Sequence, residues 1–265
     1  MKKTNCTTPL LALCITLLIC GCGTIGHQAQ VPLPPDSASE TGPILRIGCT
    51  PNNPPVIFKK NGVIAGLEAD LALLLAEELD RQPVFVEMGF EELIPALLDE
   101  RIDLIVSGMS ITDQRSIRVA FTDPIFRVGQ MALVRNEDFR KFDNIGILIG
   151  QPVIGVEQGT TGALFVERNC RQAKMKTYAS PEKAVQALIK KRIDVVIHDA
   201  PVIWWLASQH EADGINFQPQ PFNNELIAWG VSPQNQELLE HANAILTRWR
   251  ESGTLDKYMD RWLPN

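Results

Sequence analysis

The chain has 265 residues, 45% of them hydrophobic and 21% charged, an ordinary globular composition with room for one or two domains. A net charge of −6 without any Lys/Arg cluster excludes a nucleic-acid partner. No Cys/His spacing suits a metal, so neither a metal nor a cofactor is expected.

The N-terminus reads as a targeting segment. Lys2 and Lys3 form a short basic region, and Leu10 to Ile19 is an apolar core too short to span a membrane stably. Ile19-Cys20-Gly21-Cys22 follows and resembles a bacterial lipobox, with the required small residue before Cys22 but not before Cys20. Residues 1–21 are therefore expected to be a lipoprotein signal peptide, with Cys22 the lipid-attachment residue. Gly23 lacks the Asp of an inner-membrane retention signal, which permits outer-membrane sorting where a cell has an outer membrane. Residues 22–42 carry Val31-Pro32-Leu33-Pro34-Pro35 and then Asp36-Ser37-Ala38-Ser39-Glu40. Without apolar periodicity and stiffened by proline, they predict a tether.

The folded part is expected to begin with the strand Ile44 to Gly48. Thr50 to Pro55 is a loop by composition. Val56 to Val63 predicts a hairpin around Asn61-Gly62. Glu68 to Leu79 predicts a helix with Leu71, Leu74, Leu75 and Leu79 inward. Val84-Phe85-Val86 is the next strand, and Phe90 to Leu93 opens a helix leading to Arg101. This alternation of strand and helix predicts a mostly parallel sheet.

Arg101 to Arg115 is the most informative stretch. Its apolar run, Ile102 and Leu104 to Val106, suits a strand buried on both faces. Ser107 and Gly108 then let a ligand approach the backbone. Thr112 predicts a helix N-cap, which brings Arg115 beside the free amides of a helix start. An Arg fork there is a receptor for a carboxylate or a phosphate. Ala96 to Gly108 is echoed by Ala187 to Asp199: in both, an amphipathic helix runs into Arg-Ile-Asp and a buried strand. Ligands of open α/β sheets bind outside the carboxyl ends of strands. The echo therefore predicts two similar lobes whose strand ends, Ser107-Gly108 and His198-Asp199, face one cleft. Cys49 and Cys170, the cysteines left after Cys22, would then lie in different lobes, and a bridge between them would lock the cleft. They are expected to be free, buried thiols.

Later elements follow the same pattern. Val153 to Val156 predicts a strand, and Gln158-Gly159-Thr160-Thr161-Gly162 a turn that aims free amides outward without the pattern of a nucleotide loop. Pro181 to Lys191, Pro201 to Gln209 and Glu237 to Arg250 predict helices, and Gly253 ends the last of these. Thr254 is the expected cap of a final helix that ends at Trp262.

Taken together, the chain resembles the bacterial extracellular solute-binding proteins that serve amino-acid ABC importers. The matching pieces are Leu45-Arg46-Ile47-Gly48, Gly66 to Leu71, Leu93 to Leu97, Ile102 to Thr112 with Arg115, Phe121 to Pro124, Gly155 to Thr161, and Ser252 to Leu255 with Trp262. They stand in the expected order over about residues 44–263. The resemblance implies an α/β, two-lobed type II periplasmic-binding fold. The chain would cross between lobes near Pro124 to Val128 and near Phe222 to Ile227, so that lobe 1 comprises residues 43–126 and 227–265 and lobe 2 residues 127–226. It also implies a monomeric receptor of the cell envelope, outside the cytoplasm and held on a membrane by lipid. Its partners would be a small amino acid and an ABC permease.

By this resemblance Arg115 grips the ligand's α-carboxylate, with Ser110 and the backbone of Ser107 and Gly108 on the same side and Thr160 and Thr161 opposite. Asp199 accepts the ammonium, His198 stands beside it, and Phe90 stacks on the ligand side chain. The sequence departs from the family in the first loop, where an Asp and an aromatic are usual and Thr50 and Asn53 stand instead. That argues against a basic ligand and favours a neutral polar one such as glutamine, although Glu157 could supply a replacement charge. Two alternatives fit the same residues. One is a dehydratase of the cyclohexadienyl type with Glu157, Asp199 or His198 as general acid; a fused lytic domain is not expected after Asn265. The other is a ligand sensor without transport.

Overall fold

The computed structural model describes residues 42–263; the expected signal peptide, Cys22 and all but the last residue of the tether lie outside the described residues. In chain order the strands are β1 (Ile44–Cys49), β2 (Asn52–Asn53), β3 (Ile57–Lys60), β4 (Val63–Ala65), β5 (Gln82–Glu87), β6 (Leu104–Ile105), β7 (Ala120–Phe121) and β8 (Phe126–Val128). Then come β9 (Gln130–Arg135), β10 (Val153–Glu157), β11 (Lys174–Tyr178), β12 (Val195–Asp199), β13 (Ile215–Phe217), β14 (Glu225–Ile227) and β15 (Gly230–Val231). The α-helices are α1 (Leu67–Glu78), α2 (Leu93–Leu98), α3 (Asp113–Ser116), α4 (Asn144–Ile149), α5 (Thr161–Asn169), α6 (Pro181–Ile189), α7 (Ala200–Gln209), α8 (Gln236–Glu251) and α9 (Thr254–Trp262).

Two sheets carry the two lobes. The first has the order β5-β1-β6-β15-β7 and the second β11-β10-β12-β9-β13. In each, one strand pairs in parallel with both neighbours, β1 in the first and β10 in the second. In each, the fourth strand runs antiparallel to both of its neighbours. Four of the five strands in each sheet therefore run in one direction, the mostly parallel arrangement expected, and the fourth is reversed. The antiparallel strands β9 and β15 each follow directly on a crossing strand. Those crossing strands, β8 and β14, pair antiparallel with Phe126 opposite Ile227 and Val128 opposite Glu225.

The Arg-Ile-Asp echo has a structural cause. Asp103 accepts the Arg46 amide at 2.8 Å and the Arg46 guanidinium at 2.6 Å. Asp194 accepts the Val153 amide at 2.8 Å and the Arg135 guanidinium at 3.3 Å. In return the Asp103 and Asp194 amides each donate at 2.8 Å to the carbonyls of Arg46 and Val153. The same aspartate therefore fastens the first parallel strand of each sheet, and a charge-assisted bond to arginine reinforces it.

Local chemistry sets the remaining elements. Asn61 (φ 52°) and Gly62 (φ 84°) are both left-handed, as the two-residue turn between β3 and β4 requires. Leu67, Leu71 and Leu75 bury one stripe of α1 against the first sheet. Gly253, at φ 73°, occupies the cap position expected of Thr254, whose hydroxyl instead meets the Ser252 hydroxyl at 2.9 Å. Cys49 and Cys170 are buried and form no disulfide among the described residues.

Candidate functional site

A cavity lies between the sheets, lined by residues of both lobes. Its first wall begins where β6 ends. Ser107 and Gly108 line it, the latter at φ +62°, a conformation that favours glycine. The Ser107 hydroxyl accepts the Thr50 amide at 2.9 Å, and the Gly108 amide donates to Glu68 Oε2 at 2.5 Å. Glu68 is fully buried on α1, and burial raises its carboxyl pKa to about 8.

Arg115 follows on the short helix α3, capped by the Thr112 hydroxyl, which accepts the Arg115 amide at 3.2 Å. Its guanidinium donates to the Ser110 carbonyl at 2.8 Å and, across the cleft, to the Gly159 carbonyl at 3.1 Å. The Phe90 ring lies 5.2 Å from its central carbon and packs on the apolar cluster of Leu93, Leu97 and Ile105. Burial pulls the Arg115 pKa below the ordinary guanidinium value, while Asp199 and Glu225 oppose the shift. The side chain stays a cation.

The second wall is built from β10, β12 and the helices after them. Gly159 (φ +76°) turns the chain, and Thr160 caps α5, accepting the Ala163 amide at 3.4 Å. Thr161 Oγ1 lies 3.4 Å from Ser110 Oγ, so the lobes meet at this point. Asp199 precedes α7, whose first turn holds Pro201, and makes no capping bond. Its carboxylate instead accepts from Gln130 Nε2 at 2.5 Å. Burial, then the nearby Glu225, raise its pKa, and His198, Gln130 and Arg115 oppose this.

Glu157 and His198 form the far end. His198 Nε2 lies 3.0 Å from Glu157 Oε2, and Asn52 reaches across from the first lobe to donate to Glu157 Oε1 at 2.9 Å. His198 Nδ1 accepts the Asp199 amide at 2.8 Å. An accepting Nδ1 carries no proton, so the ring proton is on Nε2, aimed at Glu157. Burial lowers the imidazole pKa, but the Glu157 hydrogen bond and the Asp199, Glu157 and Glu225 charges outweigh it, and the net shift is upward.

Of the residues singled out in the sequence, Asn53, Phe90, Ser107, Gly108, Ser110, Arg115, Glu157, Thr160, Thr161, His198 and Asp199 line this one cavity. Thr50 does not. Its hydroxyl donates to the Met88 carbonyl at 2.9 Å, so it braces the wall from behind. Sequence reasoning missed Glu68, Asn52, Gln130 and Glu225. For Glu68 and Gln130 a signal existed: each is a polar residue on an otherwise apolar stripe or strand. For Glu225 there was none.

A family model for bacterial extracellular solute-binding proteins, family 3, matches residues 45–265. The chain belongs to this family. Among its family-3 relatives, the ABC transporter arginine-binding protein 1 of Escherichia coli (strain K12) is 32% identical over 209 residues, covering 77% of this chain and 84% of the relative. The structure of an ancestral arginine-binding protein bound to arginine matches with a TM-score of 0.78 at 31% identity, over 83% of this chain and 97% of that one. An ancestral arginine-binding protein bound to glutamine matches with a TM-score of 0.79 at 31% identity, over 84% and 98%. These family-3 proteins are binding proteins rather than enzymes, and their location is extracytoplasmic.

Proposed function

We propose that this chain captures an amino acid outside the cytoplasm and delivers it to an ABC importer. The observation that carries this is one cavity with a guanidinium from one lobe, Arg115 on α3, and a carboxylate from the other, Asp199 on β12, a match for a zwitterion. In this reading Arg115 takes the α-carboxylate, supported by Ser107, Gly108, Ser110, Thr160 and Thr161, and Asp199 takes the α-ammonium. Phe90, Asn53, Glu157 and His198 surround the side chain. Lobe 1 comprises residues 43–126 and 227–265 and lobe 2 residues 127–226, hinged at β8 and β14, and the ligand holds the two shut. Residues 1–21 direct export, Cys22 carries the lipid, and residues 22–42 hold the receptor, as a monomer, off the membrane surface.

We assign the side-chain end to a positively charged, donor-rich group of the arginine type. The supporting observation is the acidic Glu157 side chain, buried at that end of the cavity beside the His198 ring. A neutral amide such as glutamine is the second reading. It is favoured by Thr50 standing where the family's first-loop acid would be, and by the Glu157 oxygens already accepting from Asn52 and His198.

Calorimetric titration of the purified protein with the twenty amino acids tests the assignment. One or a few ligands should bind, and Arg115→Ala should cost about 2–5 kcal/mol, the range for truncating a buried charge pair. Absence of binding by any of the twenty would sink the amino-acid reading.

A further inference from the structure

The proposed ammonium site has a second carboxylate behind it. Gln130 opens β9 directly after the first crossing and is fully buried. Its Nε2 lies 2.5 Å from Asp199 Oδ1, 3.2 Å from Thr161 Oγ1 and 3.3 Å from Glu225 Oε1. Two hydrogens thus serve three acceptors, two of which are carboxylates. The opposite amide orientation would turn a carbonyl oxygen towards both acids, so the nitrogen faces them.

Glu225 belongs to β14, the second crossing strand. Asn223 Nδ2 donates to its Oε1 at 2.7 Å, while its Oε2 is buried and has no partner among the described residues. Asn223 also accepts the Gln130 amide at 2.7 Å, so both crossings meet at this network. Asp199 and Glu225 are therefore like charges that share one amide in a site shielded from water. A cation seated on Asp199 would offset their repulsion. Arg115 and His198 also act on Asp199, but in this reading the ligand's own carboxylate engages Arg115.

We propose that Glu225 is a positioning residue of the ammonium site, acting through Gln130 and Asp199, so that a hinge strand senses the charge of the ligand's amine. The network ties the amine to β14 itself. A ligand without an amine would fill the cleft and leave the hinge carboxylate unbalanced. The inference deepens the amino-acid reading and rests on Asp199 receiving the α-ammonium.

The test compares wild type with Glu225→Gln, titrated with L-arginine, L-glutamine and the 2-hydroxy analogue of each, in which a hydroxyl replaces the amine. Glu225→Gln should weaken the amino acid by about tenfold and leave the hydroxy analogue within about twofold, a coupling of the size neighbouring groups show. Glu225→Asp, which keeps the charge, should retain most of the preference for the amine. Gln130→Met removes the relay at similar length and should give the same selective loss, so either variant alone decides if the other fails to fold. Equal weakening of amine and hydroxyl ligands, or no change in either, overturns the proposal while the amino-acid reading stands. If none of the twenty amino acids binds wild type, the underlying reading falls and this proposal falls with it; if another amino acid binds instead, it and its 2-hydroxy analogue take the place of arginine and glutamine in the same comparison.

Discussion

A carboxylate buried against an imidazole has two charge states within reach, and Glu157 with His198 is such a pair. With one proton between them the pair is negative and suits a cationic side chain. A second proton on His198 displaces the Asp199 amide from Nδ1 and makes the pair neutral. The neighbouring Glu157, Asp199 and Glu225 carboxylates raise the His198 pKa above its ordinary value. The second proton is therefore added as pH falls through a range near or above the usual imidazole value of about 6.5. Arginine affinity should weaken as pH is lowered through that range, and glutamine affinity should hold. Glu157→Gln should abolish the difference and cost arginine about tenfold or more. Titrations of both ligands between acid and mildly alkaline pH measure this; a flat arginine profile would count against the charged reading. Glu68 offers a separate test. Its folded pKa of about 8 lies above the unfolded carboxyl value, so its contribution to stability is complete at acid pH. That contribution is lost as pH rises towards 8. Urea midpoints should fall over this interval in wild type and show a smaller fall in Glu68→Gln.

At the scale of elements, much was readable from pattern. The Asn61-Gly62 turn, the Thr112 cap and the two Arg-Ile-Asp units each rest on a local rule that a few adjacent residues satisfy. The antiparallel fourth strand of each sheet was not readable, because β9 and β15 owe their direction to crossings that only the assembled molecule defines. Nor was Glu225. Its significance comes from a hydrogen bond to Gln130, which stands just past the other crossing, and no spacing in the chain announces it. Thr50 failed for a related reason: position in a loop does not say whether a hydroxyl faces a cavity or the wall behind it. The hinge itself makes a prediction. Gly129 joins β8 to β9, and a Cβ there would run into the Asn223 carbonyl and the Pro221 ring. Gly129→Ala should destabilise the protein by about 1–3 kcal/mol, the range for overpacking, and disturb ligand binding from outside the cavity. Thermal melts with and without ligand would register both effects, whereas an unchanged melt would mean that the hinge yields freely.

For the molecule as a whole, closure draws on contacts that no ligand touches. Phe58 on β3 meets Trp205 on α7 with ring centroids 5.7 Å apart, and Asn52 reaches the Ala179 carbonyl at 3.4 Å. Such contacts between lobes set how often the closed form is visited, and apparent affinity scales with that population. Trp205→Ala should weaken every ligand by a similar factor, about tenfold at most given the size of one aromatic pair. A change in ligand preference would instead tie Trp205 to the cavity.

The strand order of the first sheet carries a consequence for biosynthesis. β15, at Gly230–Val231, lies between β6 and β7, which come more than a hundred residues earlier in the chain. The second sheet draws all five strands from one uninterrupted stretch. A chain that emerges N-terminus first can therefore complete its middle before its beginning. The early strands β1, β5 and β6 must wait with one edge open, dependent on whatever protects an unpaired strand, until the last quarter of the polypeptide arrives to shut the sheet.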